Sequence, residues 1–275
     1  MSFIYRYFFG TEKPKRHYGC NRDRYTEETM NLRPELTNYK KIVHHPCLST
    51  IIGVDLRNKC PPVFDQGHLG SCTANAICGA YGYEMMKQRK SYIPMSRLFL
   101  YYEERDMEST VATDSGAQLK DGVLIIGSPN KGVCLESLWP YDITKFAVKP
   151  PQLCYDEAEH NYVVKYERVE PSIENIKQSL LDGFPVIFGF KVFESFESQS
   201  TASTGIMTMP VDGEKMLGGH AVVVVGFDDN KKMFIVRNSW GEQWGENGYF
   251  YMPYQYMTTP DYTFDYWTLQ FVYDS

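Results

Sequence analysis

The chain has 275 residues, of which 43% are hydrophobic, and a formal net charge of -6 at pH 7. This length and composition suffice for one large globular unit or for two closely packed lobes. The acidic balance, with no long run of Lys and Arg, argues against nucleic acid as the main partner, because phosphate binding needs a concentrated basic surface.

Targeting and membrane segments are not indicated. The first ten residues are apolar but are interrupted by Arg6, and they are too short for a signal-peptide core followed by a cleavage site. No segment approaches the roughly 20 apolar residues of a membrane span. We therefore expect cytoplasmic synthesis without a signal peptide and no membrane partner, and packaging in a virion is compatible with this.

The seven cysteines are an odd number without paired close spacing. This pattern fits neither a disulfide framework nor a CxxC metal site, so reduced thiols are expected. An alternative metal site would use His44, His45 and Cys47, but that group lacks a second pair of ligands. We expect no metal and no other cofactor.

Residues 1–50 form a basic leader ahead of an acidic body. They hold nine Lys/Arg against five Asp/Glu, whereas residues 51–275 hold 19 against 29. The leader lacks sustained periodicity and predicts an extended arm with at most one short helix. Opposite net charges favour docking of the leader on the body, although salt screens such attraction over about 10 Å.

The first half of the body is predicted to be helical. One helix runs from Ser71 to about Lys90 with Cys72 in its first turn, and its apolar side holds Ala76, Ile77, Ala80 and Tyr83. Pro94 and Ser96 signal the start of a second helix. A third helix is predicted from Ser115 to about Ile126.

From Tyr162 the pattern changes to short apolar runs that predict an antiparallel sheet or barrel. One helix interrupts them, with Ser172 as N-cap and Gly183 at its C-terminal end. Helices followed by strands indicate an α+β fold with a helical lobe at about 60–150 and a β lobe at about 151–273, within a domain of residues 51–275. The predicted strands are Tyr162–Val169, Val186–Val192, His220–Phe227, Met233–Arg237, Gly248–Met252 and Tyr266–Tyr273.

Four residues have the chemistry of a thiol hydrolase. Cys72 lies at a helix start, where unpaired N–H groups favour the thiolate, and His220 can exchange a proton with it. Asn238 can orient the imidazole without adding charge. Gln66 and the backbone N–H of Cys72 can stabilise an oxyanion. Each residue alone is commonplace in a core, a strand start or a turn; their joint order favours catalysis.

The sequence resembles the papain family of cysteine peptidases. The resemblance rests on the segment from Gln66 to Cys72, on Gly219-His220-Ala221, and most specifically on the stretch from Asn238 to Tyr249. The intervals between these motifs also fit the family. The resemblance covers roughly residues 50–273 and implies a papain-like α+β fold in two lobes, a helical left lobe and a β-barrel-like right lobe, with the cleft between them.

The resemblance also implies roles for individual residues. Cys72 becomes the nucleophile, His220 the acid and base, Asn238 the orienting residue and Gln66 the oxyanion donor, acting on a polypeptide substrate. The substrate-binding residues are then Ser115, Gly116, Gly219, Ala221 and Trp240, the last covering the hydrogen bond between His220 and Asn238.

Three departures from the family pattern are visible. Leu69 replaces a cysteine that usually forms a disulfide, Thr73 replaces an aromatic residue, and the double-glycine substrate strip is reduced to Asp114-Ser115-Gly116-Ala117. The leader, with Tyr18-Gly19-Cys20-Asn21-Arg22-Asp23, resembles the short leaders of bacterial and viral members.

We therefore expect an endopeptidase, made as a zymogen whose residues 1–50 cross or flank the cleft. Two alternatives stay open. One is a catalytically silent binding or virion structural protein, and the other is an acyltransferase that uses the same thioester.

Overall fold

Helices occupy the first half of the body and one large antiparallel sheet occupies the second. The computed structural model describes residues 16–23 and 51–274. The helices are α1 Cys72–Lys87, α2 Arg97–Met107, α3 Leu119–Ile126, α4 Gln152–Ala158, α5 Ile173–Leu181, α6 Gln199–Thr204 and α7 Tyr254–Thr258. The strands are β1 Cys20–Asn21, β2 Gly53–Asp55, β3 Ala117–Gln118, β4 Asn161–Arg168, β5 Val186–Phe193, β6 Met216–Asp228, β7 Met233–Arg237, β8 Tyr249–Pro253 and β9 Thr263–Asp274.

Helix α1 is the central helix of the molecule. Every residue from Cys72 to Met85 is buried, and the helix packs against β6, β9, α2 and α3. The four residues predicted on its apolar side are buried, and the other sides are buried too, because the small residues Gly, Ala, Cys and Thr let neighbours approach all round. A helix buried on all sides provides a rigid base for Cys72, its first residue.

Hydroxyl caps define two of the predicted helix starts. The Ser96 side chain accepts a hydrogen bond from the backbone N–H of Phe99 at 3.1 Å, and Ser172 does the same for Asn175 at 3.1 Å. Each cap satisfies one of the free N–H groups of the first turn. Gly183 follows α5 with a φ of 77°, as expected for the residue that ends a helix.

The large sheet carries the second half of the predicted site. Its order is β4-β9-β5-β6-β7-β8, and β2 pairs with β6. Strand β6 runs antiparallel to β5, which places His220 opposite Phe190. Strand β7 ends at Arg237, so Asn238 leaves the sheet directly beside the strand that carries His220.

A second, two-stranded sheet joins the leader to the body. Strand β1 of the leader pairs in parallel with β3, with Cys20 opposite Ala117. The third predicted helix consequently starts at Leu119 and not at Ser115, because Ala117 and Gln118 form a strand that pairs with the leader.

The α+β order of helices and strands is confirmed. Helices α4, α6 and α7 were not predicted, since each is too short to show a helical period. In the described residues no helix is long and apolar enough to cross a membrane. Leader residues 1–15 and 24–50, including the alternative metal ligands His44, His45 and Cys47, lie outside the described residues.

Candidate active site

Cys72 lies at the N-terminus of α1 and is fully buried. Burial raises the pKa of the thiol to about 12, and the neighbouring backbone groups of Ala221, Gly19 and Thr73 oppose that rise. The helix start was expected to favour the thiolate, but in this covered arrangement desolvation is the larger effect.

His220 is fully buried in β6. Its Nε2 lies 2.8 Å from Oδ1 of Asn238, and its ring stacks on Trp240 with centroids 4.9 Å apart. Its other ring nitrogen, Nδ1, has no hydrogen-bond partner among the described residues. Burial lowers the pKa of His220 to about 4, which the bond to Asn238 opposes, so the ring is neutral near pH 7.

Asn238 holds its position through its own carbonyl oxygen. Besides its contact with His220, Oδ1 accepts a hydrogen bond from the backbone N–H of Ser239 at 2.8 Å. The structure thus brings Asn238 to the imidazole and Trp240 over it, in the arrangement that the sequence predicted.

Gln66 is buried beside the nucleophile loop. Its Oε1 accepts a hydrogen bond from the Ser239 hydroxyl at 2.6 Å, while its Nε2 donates to the Leu69 carbonyl at 3.0 Å. An amide nitrogen carries two hydrogens, so this bond leaves one donor for another acceptor. Leu69 itself is buried in the core at the position of the missing cysteine.

The leader passes directly over this group of residues. The Gly19 carbonyl accepts the backbone N–H of Ala117 at 2.6 Å. A Cβ added to Gly19 would lie only 1.7 Å from the carbonyl oxygen of Gly70. The Tyr18 ring lies edge-on to both His220 and Trp240, each at 6.3 Å between centroids. Only glycine therefore fits where the leader crosses Cys72.

The five predicted substrate-binding residues all lie along this path. The Ser115 carbonyl accepts the side chain of leader residue Asn21 at 3.1 Å, and Gly116 and Gly219 each face leader backbone so closely that a Cβ would clash. Ala221 contacts the thiol through its backbone. The guanidinium of Arg16 lies 3.8 Å above the Trp240 ring.

A buried ion-pair group anchors the far end of the described leader. The Asp23 side chain is 4% exposed and lies 3.1 Å from both Lys120 and Arg168. Its backbone N–H donates to Asp265 at 3.0 Å. The expected attraction was of a basic leader to an acidic body, and the exposed pair of Arg22 with Asp261 has that polarity. The buried pairs of Asp23 have the opposite polarity.

Two further carboxyl groups escaped the sequence analysis. Asp114 accepts the backbone N–H of Gly70 at 3.1 Å and so ties down the loop before Cys72. Glu104 accepts the hydroxyl of Thr73 at 2.7 Å inside the core. A signal for Glu104 was available, because it follows the buried Leu100 by four residues and therefore shares its helix face.

Comparison with known proteins identifies the family. The profile of the papain family cysteine protease matches residues 52–260. An uncharacterised peptidase C1-like protein of Acanthamoeba polyphaga mimivirus is 51% identical over 262 residues, which cover 90% of this chain and 79% of that protein. Cysteine proteinase A of Leishmania mexicana is 28% identical over 265 residues, 88% of this chain and 70% of the relative.

A solved structure agrees with this result. The crystal structure of xylellain, a cysteine protease from Xylella fastidiosa, superposes with a TM-score of 0.81 at 33% identity, covering 96% of this chain and 99% of xylellain. Digestive procathepsin L 3 of Tenebrio molitor shares the fold, with a TM-score of 0.62 at 21% identity over 82% of this chain and 73% of that one. The chain belongs to the papain family of cysteine proteases, and it is a peptidase.

Proposed function

We propose that Cys72 is the nucleophile of peptide-bond hydrolysis, with His220 as acid and base, Asn238 as the orienting residue and Gln66 as an oxyanion donor. One observation carries this proposal. The thiol at the start of α1 lies beside the backbone of Ala221, the residue next to an imidazole held at 2.8 Å by Asn238.

In the first half of the reaction the Cys72 thiol gives its proton to His220, and the sulfur attacks the carbonyl carbon of the scissile bond. The C=O electron pair moves to oxygen, where Gln66 and the backbone N–H of Cys72 can stabilise it. Collapse of the tetrahedral intermediate breaks the C–N bond, and the leaving nitrogen takes a proton from His220. The product is a thioester on Cys72.

In the second half, water attacks the thioester and gives a proton to His220. Collapse then breaks the C–S bond and releases the acid product and the Cys72 sulfur. The stacked Trp240 excludes water from the bond between His220 and Asn238, which preserves the ring orientation through both steps.

The leader restrains this reaction. Gly19 occupies the position next to Cys72, and Tyr18 lies over His220. Both catalytic groups are fully buried beneath it, and burial favours the neutral thiol over the thiolate that must attack. The chain is therefore proposed to be a zymogen until the leader is displaced or cut.

The substrate is an extended polypeptide cut internally. Leader residues 16–18 lie on one side of Cys72 and residues 20–23 on the other, so the cleft accommodates backbone continuing in both directions. An exopeptidase needs one of these directions closed. The path lined by Ser115, Gly116 and Gly219 is proposed to bind substrate once the leader leaves.

Covalent labelling tests the assignment of the nucleophile. An epoxide directed at active-site thiols should label Cys72 in a Gly19→Ala chain, whose added Cβ would clash with the Gly70 carbonyl oxygen and displace the leader, with the modified peptide identified by mass spectrometry. Labelling should be abolished when Cys72→Ala is added and strongly reduced when His220→Ala is added. Equal labelling with and without His220→Ala would contradict the proposal and favour a silent binding protein, since a thiol without a catalytic base reacts regardless of His220.

A further inference from the structure

Glu104 is a buried carboxyl group that the reaction described above does not use. It lies on α2, is fully buried and accepts the Thr73 hydroxyl at 2.7 Å through Oε2. Its other oxygen, Oε1, has no hydrogen-bond partner among the described residues. A Cβ on Gly122 would lie 2.2 Å from Oε1, so the backbone of α3 closes directly over it.

The cation nearest to it in sequence is committed elsewhere. Arg105 donates to the backbone carbonyls of Tyr101, Val111 and Thr113 at 3.1, 2.8 and 3.1 Å, and also to that of Phe146. Its charge therefore stabilises a turn and forms no ion pair with Glu104.

The other ionisable groups facing Glu104 oppose its ionisation. Glu108 on the same helix and Asp121 on α3 raise the pKa of Glu104, and burial raises it most, while the Thr73 bond and Arg105 lower it. An ionised Glu104 would in turn raise the pKa of Cys72, Cys78 and Cys20. Burial without a paired cation disfavours the ionised form of this carboxyl group.

Thr73 connects this carboxyl group to the nucleophile. Its hydroxyl donates to Glu104, and it directly follows Cys72 in the first turn of α1, where its backbone lowers the pKa of the thiol. A group that fixes the Thr73 side chain therefore fixes the first turn of α1 and the direction of that backbone contact.

We propose that Glu104 is a positioning residue, which holds Thr73 in place beneath Cys72 and does so as an uncharged carboxylic acid. The neutral form supplies an oxygen to Thr73 without placing a negative charge behind the sulfur that must become a thiolate. This inference rests on the proposed role of Cys72, but its test measures thiol ionisation and not peptide cleavage.

The experiment measures the rate of alkylation of Cys72 by iodoacetamide against pH in the full chain, with the modified residue identified by mass spectrometry. Each variant is prepared both alone and together with Gly19→Ala, so that access to the thiol is controlled. Thr73→Val removes the hydroxyl with little change of volume, and Thr73→Ser is its matched control.

Two results are expected. Thr73→Val and Glu104→Leu should raise the alkylation midpoint and slow the reaction at pH 7 about 3- to 10-fold, because one hydrogen bond contributes about 0.5–1.5 kcal/mol; Thr73→Ser should restore the rate. Glu104→Gln should restore the midpoint relative to Glu104→Leu and leave it within about 0.3 pH units of wild type, because no charge is removed.

Two outcomes would overturn the inference. A Glu104→Gln midpoint lower by about one pH unit or more would show that the native residue is charged, because loss of a nearby like charge lowers a thiol pKa by that order. Equal behaviour of Thr73→Val and Thr73→Ser would show that the hydroxyl does not position the nucleophile. Should Glu104→Leu unfold, the two Thr73 variants still decide the question.

Discussion

Gly19→Ala in the full chain should release the leader and activate the enzyme. The added Cβ would lie 1.7 Å from the Gly70 carbonyl oxygen and 2.4 Å from its carbon, and both atoms belong to backbone that cannot rotate away. The leader would have to withdraw by roughly 1.3 Å to reach the 3.0 Å limit of real Cβ contacts. That movement breaks the 2.6 Å bond between Gly19 and Ala117.

The expected size follows from two contributions. Overpacking costs about 1–3 kcal/mol, and each lost backbone hydrogen bond costs about 0.5–1.5 kcal/mol. Together they weaken leader docking by about 2–4 kcal/mol, which increases the fraction of molecules with an uncovered cleft by up to about 30- to 800-fold. Activity stops increasing once the cleft is uncovered in every molecule.

The assay is the initial rate of cleavage of a fluorogenic peptide, with hydrogen exchange of residues 16–23 measured on the same samples. Arg22→Ala is the matched control, because its ion pair with Asp261 is exposed on both sides and contributes little. An unchanged rate together with unchanged protection of residues 16–23 in Gly19→Ala would refute the reasoning.

Three further predictions follow from the same contacts. Asp23→Ala removes the carboxylate that lies 3.1 Å from both Lys120 and Arg168 and leaves Lys120 the longer pair with Asp121 at 3.7 Å. Basal activity of the full chain should therefore rise more than tenfold over Arg22→Ala, since breaking a buried pair costs about 3–5 kcal/mol. Equal rates would exclude Asp23 as an anchor. Asn238→Ala should lower kcat/KM about 10- to 150-fold, because a hydrogen bond to a charged imidazole contributes about 1.5–3 kcal/mol, and a loss below threefold in steady-state kinetics would count against its orienting role. The pKa of buried His220 is lowered from 6.5 to about 4, so its contribution to stability is present above pH 6.5 and is lost as the pH falls toward 4. In urea unfolding of the full chain, the free energy of unfolding should therefore decrease by up to about 3 kcal/mol across that window, and His220→Gln should reduce the decrease. Superimposable pH curves for the two proteins would contradict this.

The parts of the fold that follow local rules were predictable. Ser96 and Ser172 mark their helix starts because a hydroxyl cap is a local interaction between residues three apart. Strand β7 was predicted at its observed bounds, Met233–Arg237, because its apolar run is short and bounded by polar turns. The start of α3 was not predictable in this way, since Ala117 is extended only because the leader pairs with it.

The candidate site divides in the same manner. Cys72, His220 and Asn238 were recognisable because each lies in a distinctive stretch of sequence. Glu104 and Lys120 were not, because each acts on a residue more than 30 positions away, through contacts that exist only after packing. The polarity of the buried Asp23 pairs was also unpredictable from net charge, since Asp23 is one acidic residue in a basic segment.

The most direct test of the central claim is to trap the acyl-enzyme. The Gly19→Ala chain would be mixed with a peptide ester, quenched in acid within the first turnover and digested for mass spectrometry. We expect the acyl mass on the peptide that contains Cys72, and loss of both the adduct and turnover in Cys72→Ala. Continued turnover of Cys72→Ala, or an acyl group found only on another residue, would contradict the assignment of Cys72 as the nucleophile.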